Sequence, residues 1–220
     1  MKLGQVFLKN EKILKWMGSL VEGKILEIGG GDGRLTKYLK GDITVIEIDK
    51  RFQEYLKNYK VIWKDFLEVE PFEVDYIIGN VPYYISSLIL FKLLDWNFKK
   101  AILMFQKEFV MKMMMNAGDR DYGRLSVMSQ YYFKVRLMKI ISKYNFTPIP
   151  KVDSAIIEIE KIRNKDEDFE KFVRKIFSHK NKKLRNIINV SDEYKDIRPD
   201  QMTLDEIIKL YNSLKGPNNA

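Results

Sequence analysis

The sequence predicts an α/β fold: a doubly wound, mostly parallel sheet with a small helical segment appended at its C-terminal end. Three observations predict it. Short apolar runs alternate with helix-like segments from Lys24 to Ile159, the signature of βαβ units around an open sheet. The first of these runs passes directly into Gly29-Gly30-Gly31-Asp32-Gly33, and a later one, Val74 to Ile78, into Gly79-Asn80-Val81-Pro82-Tyr83. Open sheets of this kind take their ligands at the carboxyl ends of strands.

The chain has 220 residues, 45% of them hydrophobic, enough for one sizeable core with a small appendage. It contains no cysteine and one histidine, His179. Disulfides, thiolate nucleophiles and metal centres built on cysteine or clustered histidine are therefore excluded, and no metal is expected. No run reaches bilayer-spanning length, and Met1-Lys2-Leu3-Gly4 leads into charged residues without a signal-peptide core. A cytoplasmic protein without a membrane partner is expected. The formal net charge of +9 favours a polyanionic partner, nucleic acid before membrane. Two tracts free of acidic residues concentrate the charge. One, between Tyr122 and Val152, holds Arg124, Lys134, Arg136, Lys139, Lys143 and Lys151; the other, Lys171 to Ser191, holds Lys180, Lys182, Lys183 and Arg185 among others.

Taken in order, Gly4 to Leu8 precede a helix expected from near Asn10, with Ile13, Leu14, Trp16, Met17 and Leu20 on one face. Lys24 to Ile28 reads as a buried strand, followed by the glycine loop and a helix over Arg34 to Leu39. Glycines let the main chain approach a ligand closely. The dinucleotide fingerprint would place a small residue where Arg34 stands. The spacing Glu27-x-Gly29-x-Gly31-x-Gly33 instead resembles motif I of S-adenosylmethionine-dependent methyltransferases. Ile43 to Glu47 reads as a second strand ending in an acid that can accept both hydroxyls of a ribose. After a helix over Arg51 to Tyr59, the strand Val61 to Trp63 leads to Asp65, placed to accept from an adenine amino group beside Ile48 and Phe66.

The Asn80 turn follows, then a helix through Phe91 and Leu94, a strand from Ala101 to Phe105 and a helix from Gln106. Its Met111, Met113, Met114 and Met115 read as packing residues. Gln130 to Ile140 is expected as a strand, and Ala155 to Ile159 as the last one. Beyond Arg163 the pattern turns charged and helical, with helices expected over Phe169 to Asn189 and Leu204 to Leu214. A catalytic domain over residues 1–163 and a small helical RNA-binding domain over 164–220 are expected.

An asparagine amide, a proline and the flat face of Tyr83 together can grip a planar ring bearing an amino group. The turn alone is equally compatible with Asn80 capping the next helix. Its context decides. Gly4-Gln5-Val6-Phe7-Leu8, Glu27 to Gly33, Val45 to Asp49, Asn80-Val81-Pro82-Tyr83, Phe105 to Glu108 and Phe146-Thr147-Pro148-Ile149-Pro150-Lys151-Val152-Asp153-Ser154 occur in one order. That series resembles the ribosomal RNA adenine N6,N6-dimethyltransferase family. Val152-Asp153-Ser154 and Ser178 to Asn186 resemble its universal small-subunit branch.

The resemblance implies a Rossmann-like class I fold and transfer of methyl groups from S-adenosylmethionine to N6 of two adjacent adenines near the 3′ end of small-subunit rRNA. It implies cofactor contacts from Val6, Leu8, Gly29, Gly31, Glu47, Asp65 and Asn80, and a target adenine sandwiched between Tyr83 and Phe146. Asn80 and the Val81 backbone carbonyl would accept hydrogen bonds from N6 and aim its lone pair, so that positioning takes the place of a strong base. Lys151, Lys180, Lys182, Lys183 and Arg185 would contact RNA in a pre-30S-like particle, with the protein a monomer. Val6, Tyr84 and Leu88 depart from residues common in the family, which has Asn, Asn and Pro there. The alternatives are a large-subunit rRNA methylase of the antibiotic-resistance type, a DNA adenine methylase, and a ribosome-assembly factor without activity.

Overall fold

The computed structural model describes residues 6–215; Gly4 and Gln5 of the first motif lie outside the described residues. The chain divides into two compact units, one of Met1–Val110 and Lys134–Lys161, the other of Met111–Phe133 and Ile162–Ala220.

The first unit opens with a short strand β1 (Phe7–Leu8) and helix α1 (Glu11–Gly18). Asn10 caps this helix, its side chain accepting from the N–H groups of Lys12 and Ile13. Then come β2 (Lys24–Ile28), β3 (Asp42–Ile46), α2 (Gln53–Leu56), β4 (Lys60–Ile62), β5 (Tyr76–Asn80), α3 (Ser86–Lys92) and β6 (Lys100–Gln106). Helix α4 (Lys107–Met113) and helix α5 (Arg124–Tyr132) lead to β7 (Phe133–Ile141), β8 (Phe146–Thr147) and β9 (Ser154–Lys161).

Seven strands form one sheet in the order β4-β3-β2-β5-β6-β9-β7. The pairs from β4 through β6 are parallel, and β9 runs antiparallel to β6. The chain starts in the middle at β2, builds outward to β4, then returns to place β5 on the other side of β2. That reversal opens a crevice at the carboxyl ends of β2 and β5, where such sheets bind ligands. Gly79 permits the close approach: a Cβ there would lie 2.5 Å from the carbonyl oxygen of Ile28. The central strands are continuous apolar runs because both faces are covered. On one face α1 supplies Ile13, Leu14 and Met17 to a core that includes Ile25, Ile78, Ile102, Met104 and Ile156.

A separate two-stranded ladder pairs β1 with β8, Phe7 opposite Thr147 and Leu8 opposite Phe146. The main-chain bond from Lys9 to Asn145 and the side-chain bond from Asn10 to Asn145, both 2.8 Å, extend this tie.

The second unit contains α5, α6 (Glu167–Phe177) and α7 (Leu204–Lys215). It is held by an aromatic cluster: Tyr131 stacks on Phe169 with ring centres 3.8 Å apart, and Tyr211 meets Phe169 edge-on at 5.1 Å. Asp166 caps α6 through the Phe169 N–H, and its carboxylate accepts from the hydroxyl of Tyr211.

Several local expectations change. Gln130 to Tyr132 close a helix rather than open a strand, because Tyr131 and Tyr132 turn into the cluster with α6; the Tyr132 hydroxyl donates to the Asp166 carbonyl and the Glu170 carboxylate. For the same reason residues 111–133 belong to the second unit, whereas the sequence placed a single boundary near Arg163. The helix expected over Arg34 to Leu39 is only a 3-10 turn, Thr36–Tyr38, and α6 stops at Phe177, with turns and a further 3-10 segment, Leu184–Asn186, after it.

Candidate active site

The crevice at the switch point is a cleft of about 1160 Å³ counted to its open mouth, lined among others by Val6, Leu8, Glu27, Gly29, Gly31, Glu47, Asp65, Asn80, Val81 and Tyr83.

Gly29 and Gly31 follow β2 with φ of 75° and 52°, conformations that non-glycine residues rarely adopt. A Cβ on Gly31 would also stand 3.0 Å from the Phe7 ring. Glu47 follows β3 and is buried. Its Oε2 accepts from the Gly31 N–H at 2.9 Å and its Oε1 from the Asp49 N–H at 2.8 Å. A carboxylate has about four acceptor sites, so each oxygen held this way retains capacity for a ligand hydroxyl. Asp65 accepts from the Leu67 N–H at 3.0 Å, which fixes its carboxylate at the wall beside Ile48 and Phe66.

Asn80 ends β5 and does not cap the helix that follows. Its Nδ2 donates to the Val6 carbonyl oxygen at 2.8 Å. Because the amide is planar, that bond turns Oδ1 away from β1 and sets its direction. The Val81 N–H donates to the Met104 carbonyl at 3.0 Å, which fixes the adjoining peptide. The Asn80 carbonyl oxygen lies 3.9 Å from where a Gly29 Cβ would be, so a side chain on the loop there would meet the Asn80 turn. The Tyr83 hydroxyl shares a hydrogen bond of 2.7 Å with Ser154, and partial burial of the ring pushes its phenol pKa above the ordinary value.

Phe146 is not among the residues that line the cleft with Tyr83. Phe146 is fully buried (0% exposed) and packs in the apolar core with Leu8, Leu14, Met17 and Ile156. It is not part of the cleft wall. The β1–β8 ladder pairs Phe146 with Leu8, which belongs to the same core and also lines the cleft. Val6 meets the site through its main-chain carbonyl, a contact that does not depend on the side chain at this position.

Glu27 carries a site role that the sequence reading left unassigned. It lines the cleft from within β2, is 1% exposed, and its Oε2 has no hydrogen-bond partner among the described residues. Burial pushes its pKa up to about 8; the Thr36 hydroxyl opposes the rise and the Glu47 carboxylate adds to it. An acid inside a buried strand, two residues before the first loop glycine, was the signal available. An unpartnered carboxyl beside the glycine loop suits a ligand ammonium, and Glu47 suits a ribose. Together with the adenine-accepting edge of Asp65, this donor and acceptor set fits S-adenosylmethionine. Arg34, Phe7 and Lys64 also line the cleft without having been singled out for it.

The basic residues of the second unit differ among themselves. Lys180 donates to the carbonyl oxygens of Arg120 at 3.2 Å and Tyr122 at 2.9 Å, a tie within the unit. Lys183 and Arg185 share the Asp196 carboxylate at 2.7 and 2.8 Å. Lys182, and Lys151 in the first unit, are exposed.

Residues 1–206 match the ribosomal RNA adenine dimethylase family. A probable ribosomal RNA small subunit methyltransferase A of Methanococcus aeolicus is 40% identical over 209 residues, covering 85% of this chain and 77% of the relative. The ribosomal RNA small subunit methyltransferase A of Mycoplasma capricolum is 37% identical and covers 95% of both chains. Among solved structures, a dimethyladenosine transferase from Plasmodium falciparum superposes with a TM-score of 0.84 at 27% identity, covering 95% of this chain and 97% of that one. The 23S rRNA methyltransferase ErmE gives 0.63 at 25% identity, covering 96% and 100%.

Proposed function

The chain belongs to the ribosomal RNA adenine dimethylase family, and from that premise we propose that it methylates N6 of two adjacent adenines near the 3′ end of small-subunit rRNA. S-adenosylmethionine supplies the electrophilic methyl. Glu47 accepts its ribose hydroxyls, Asp65 its adenine amine and Glu27 its ammonium, while Gly29 and Gly31 let the main chain approach. Leu8 and the Val6 backbone close one side of the cleft.

An adenine amine is a poor nucleophile because its lone pair is delocalised into the ring, so orientation is the main task. Asn80 Oδ1 and the Val81 carbonyl accept hydrogen bonds from the N6–H groups and favour a pyramidal nitrogen; as the N–CH3 bond forms, the C–S bond breaks to release S-adenosylhomocysteine and one N6 proton passes to water. Tyr83 offers the ring face on which the extruded base stacks. The observation that carries this reading is the bond from Asn80 Nδ2 to the Val6 carbonyl, since it leaves the acceptor end of the amide for the amine.

Small-subunit specificity is favoured over the large-subunit reading by the names of the relatives and by the better superposition on the dimethyladenosine transferase. Lys151, Lys182, Lys183 and Arg185 contact the RNA, and the protein acts as a monomer on a pre-30S-like particle in the cytoplasm. Among the described residues no helix is long and apolar enough to cross a membrane, which is compatible with that location.

The test is incubation with methyl-labelled S-adenosylmethionine and purified small and large subunits, followed by mapping of modified adenines. Label on two adjacent small-subunit adenines is expected. Label confined to the large subunit, or none on either, refutes the reading.

A further inference from the structure

Arg34 ties the glycine loop to β1, the strand that precedes helix α1 and whose neighbour Val6 meets the Asn80 turn. Its Nε donates to both Asp32 carboxylate oxygens, at 2.7 and 3.0 Å, and its Nη2 also bonds Asp32 Oδ2. Its Nη1 donates to the Leu8 main-chain carbonyl at 3.2 Å. The guanidinium lies over the Phe7 ring, 4.8 Å from its centre, while that ring in turn rests against Gly31. Arg34 therefore holds both residues of β1 to the loop that the cofactor occupies.

One residue before β1, the Val6 carbonyl accepts from Asn80 Nδ2 at 2.8 Å. The direction of the Asn80 acceptor thus depends on where β1 sits. We propose that Arg34 is a positioning residue for methyl transfer, acting through β1 to aim the Asn80 amide. This rests on the catalytic role of Asn80 given above.

The chemistry of the side chain suits the task. A guanidinium presents five N–H donors in a fixed fork. Three of them are spent on Asp32 and Leu8, and the cationic face is spent on Phe7. A lysine could reach one of these partners but could not hold all of them. Neither the Asp32 carboxylate nor the Leu8 carbonyl belongs to a ligand, so the orienting contacts exist before anything enters the cleft. A small displacement of a reacting or orienting group costs up to about a hundredfold in rate, and a β1 freed from Arg34 would hold the Val6 carbonyl, and with it the Asn80 amide, less tightly.

The experiment is a double-mutant cycle on the single-turnover methylation rate of small subunits, with cofactor and RNA saturating. It uses the full chain and the variants Arg34→Ala, Asn80→Ala and the two combined. Arg34→Ala alone is expected to slow transfer by about tenfold to a hundredfold. In the Asn80→Ala background it is expected to change the residual rate by less than about twofold, because the group it aims is gone.

An equal loss in both backgrounds, or no loss with Asn80 intact, overturns the inference while leaving the role of Asn80 standing. A normal rate for Asn80→Ala instead removes the role of Asn80 and the inference with it. Calorimetry separates a direct contact: if Arg34→Ala weakens S-adenosylhomocysteine but not 5′-methylthioadenosine, and the saturated rate is normal, Arg34 is a carboxylate ligand and the inference falls. If Arg34→Ala does not fold, the same cycle is run with Arg34→Lys, for which the same non-additivity is expected.

Discussion

Replacing Glu27 by glutamine tests the electrostatics of the cleft directly. The carboxyl is buried in β2, and burial raises its pKa from the ordinary 4.5 to about 8. A carboxyl raised in the folded state keeps its proton where the unfolded chain has lost it. Its contribution is therefore most favourable below about pH 4.5 and is lost as pH rises toward 8. At about 1.4 kcal/mol per pH unit, the displacement corresponds to a loss on the order of 5 kcal/mol across that window, an upper figure because a buried site relaxes.

Glutamine has nearly the same shape and no charge, so Glu27→Gln should flatten the dependence. Without cofactor, the variant should match the parent near pH 5 and be the more stable protein at about pH 8, by several kcal/mol at most. Urea unfolding at a series of pH values measures this. The same side chain should make cofactor binding release a proton at neutral pH in the parent, because an ammonium favours the ionised carboxyl. Calorimetry in two buffers of different ionisation enthalpy detects that proton, which should vanish in Glu27→Gln. Parallel stability curves for the two proteins would refute the reasoning, since they would mean that the carboxyl titrates normally despite its burial.

Three other outcomes are expected. Glu47→Ala should weaken cofactor binding strongly in calorimetry and also lower stability by about 1–3 kcal/mol, because the Gly31 and Asp49 N–H groups lose their acceptor; Glu47→Gln should keep more of both. Lys182→Ala should reduce affinity for small-subunit RNA and make the salt slope shallower by about 0.7–0.9, whereas Lys180→Ala should also lower the melting temperature, since Lys180 ties two carbonyls of its own unit. Phe146→Leu should keep most methylation while costing stability in a thermal melt, as expected for a core ring; a rate loss of more than about tenfold with little change in melting would restore Phe146 to the adenine site.

Much of the sheet was legible because its strands are buried on both faces. Ala101 to Phe105 is an unbroken apolar run and Lys24 to Ile28 an apolar run interrupted only by Glu27 after its first residue, and the structure differs from the expected bounds by at most one residue at each end. Tyr131 and Tyr132 misled for the opposite reason. Aromatic residues favour strands only where they find a pleated, half-buried surface. Here Tyr131 and Tyr132 find Phe169 and Asp166 instead, and that partnership is separated by more than thirty residues of sequence. That Glu47, Asp65 and Asn80 line one cleft was legible because strand ends at a switch point converge whatever the side chains. The place of Phe146 was not, since its motif says nothing about the ladder that pairs it with Leu8. The link from Arg34 through β1 to Asn80 was invisible for the same reason: it depends on tertiary hydrogen bonds, not on spacing.

The site assigns rate and affinity to different groups, and pH should separate them. In the proposed mechanism the amine has Asn80 Oδ1 and the Val81 carbonyl as its acceptors, neither of which titrates. The Tyr83 phenol, raised by burial, stays neutral through the working range. Glu27 does titrate near neutrality, but it faces the glycine loop end of the cleft and reports on cofactor occupancy. The saturated rate should therefore be flat from about pH 6 to 9, while the cofactor KM falls as pH rises toward about 8. A bell-shaped or sloping saturated rate would mean that a proton is removed by a group of this chain during transfer. The orientation argument for Asn80 would then be insufficient, because a positioned acceptor pair without a base predicts no such limb.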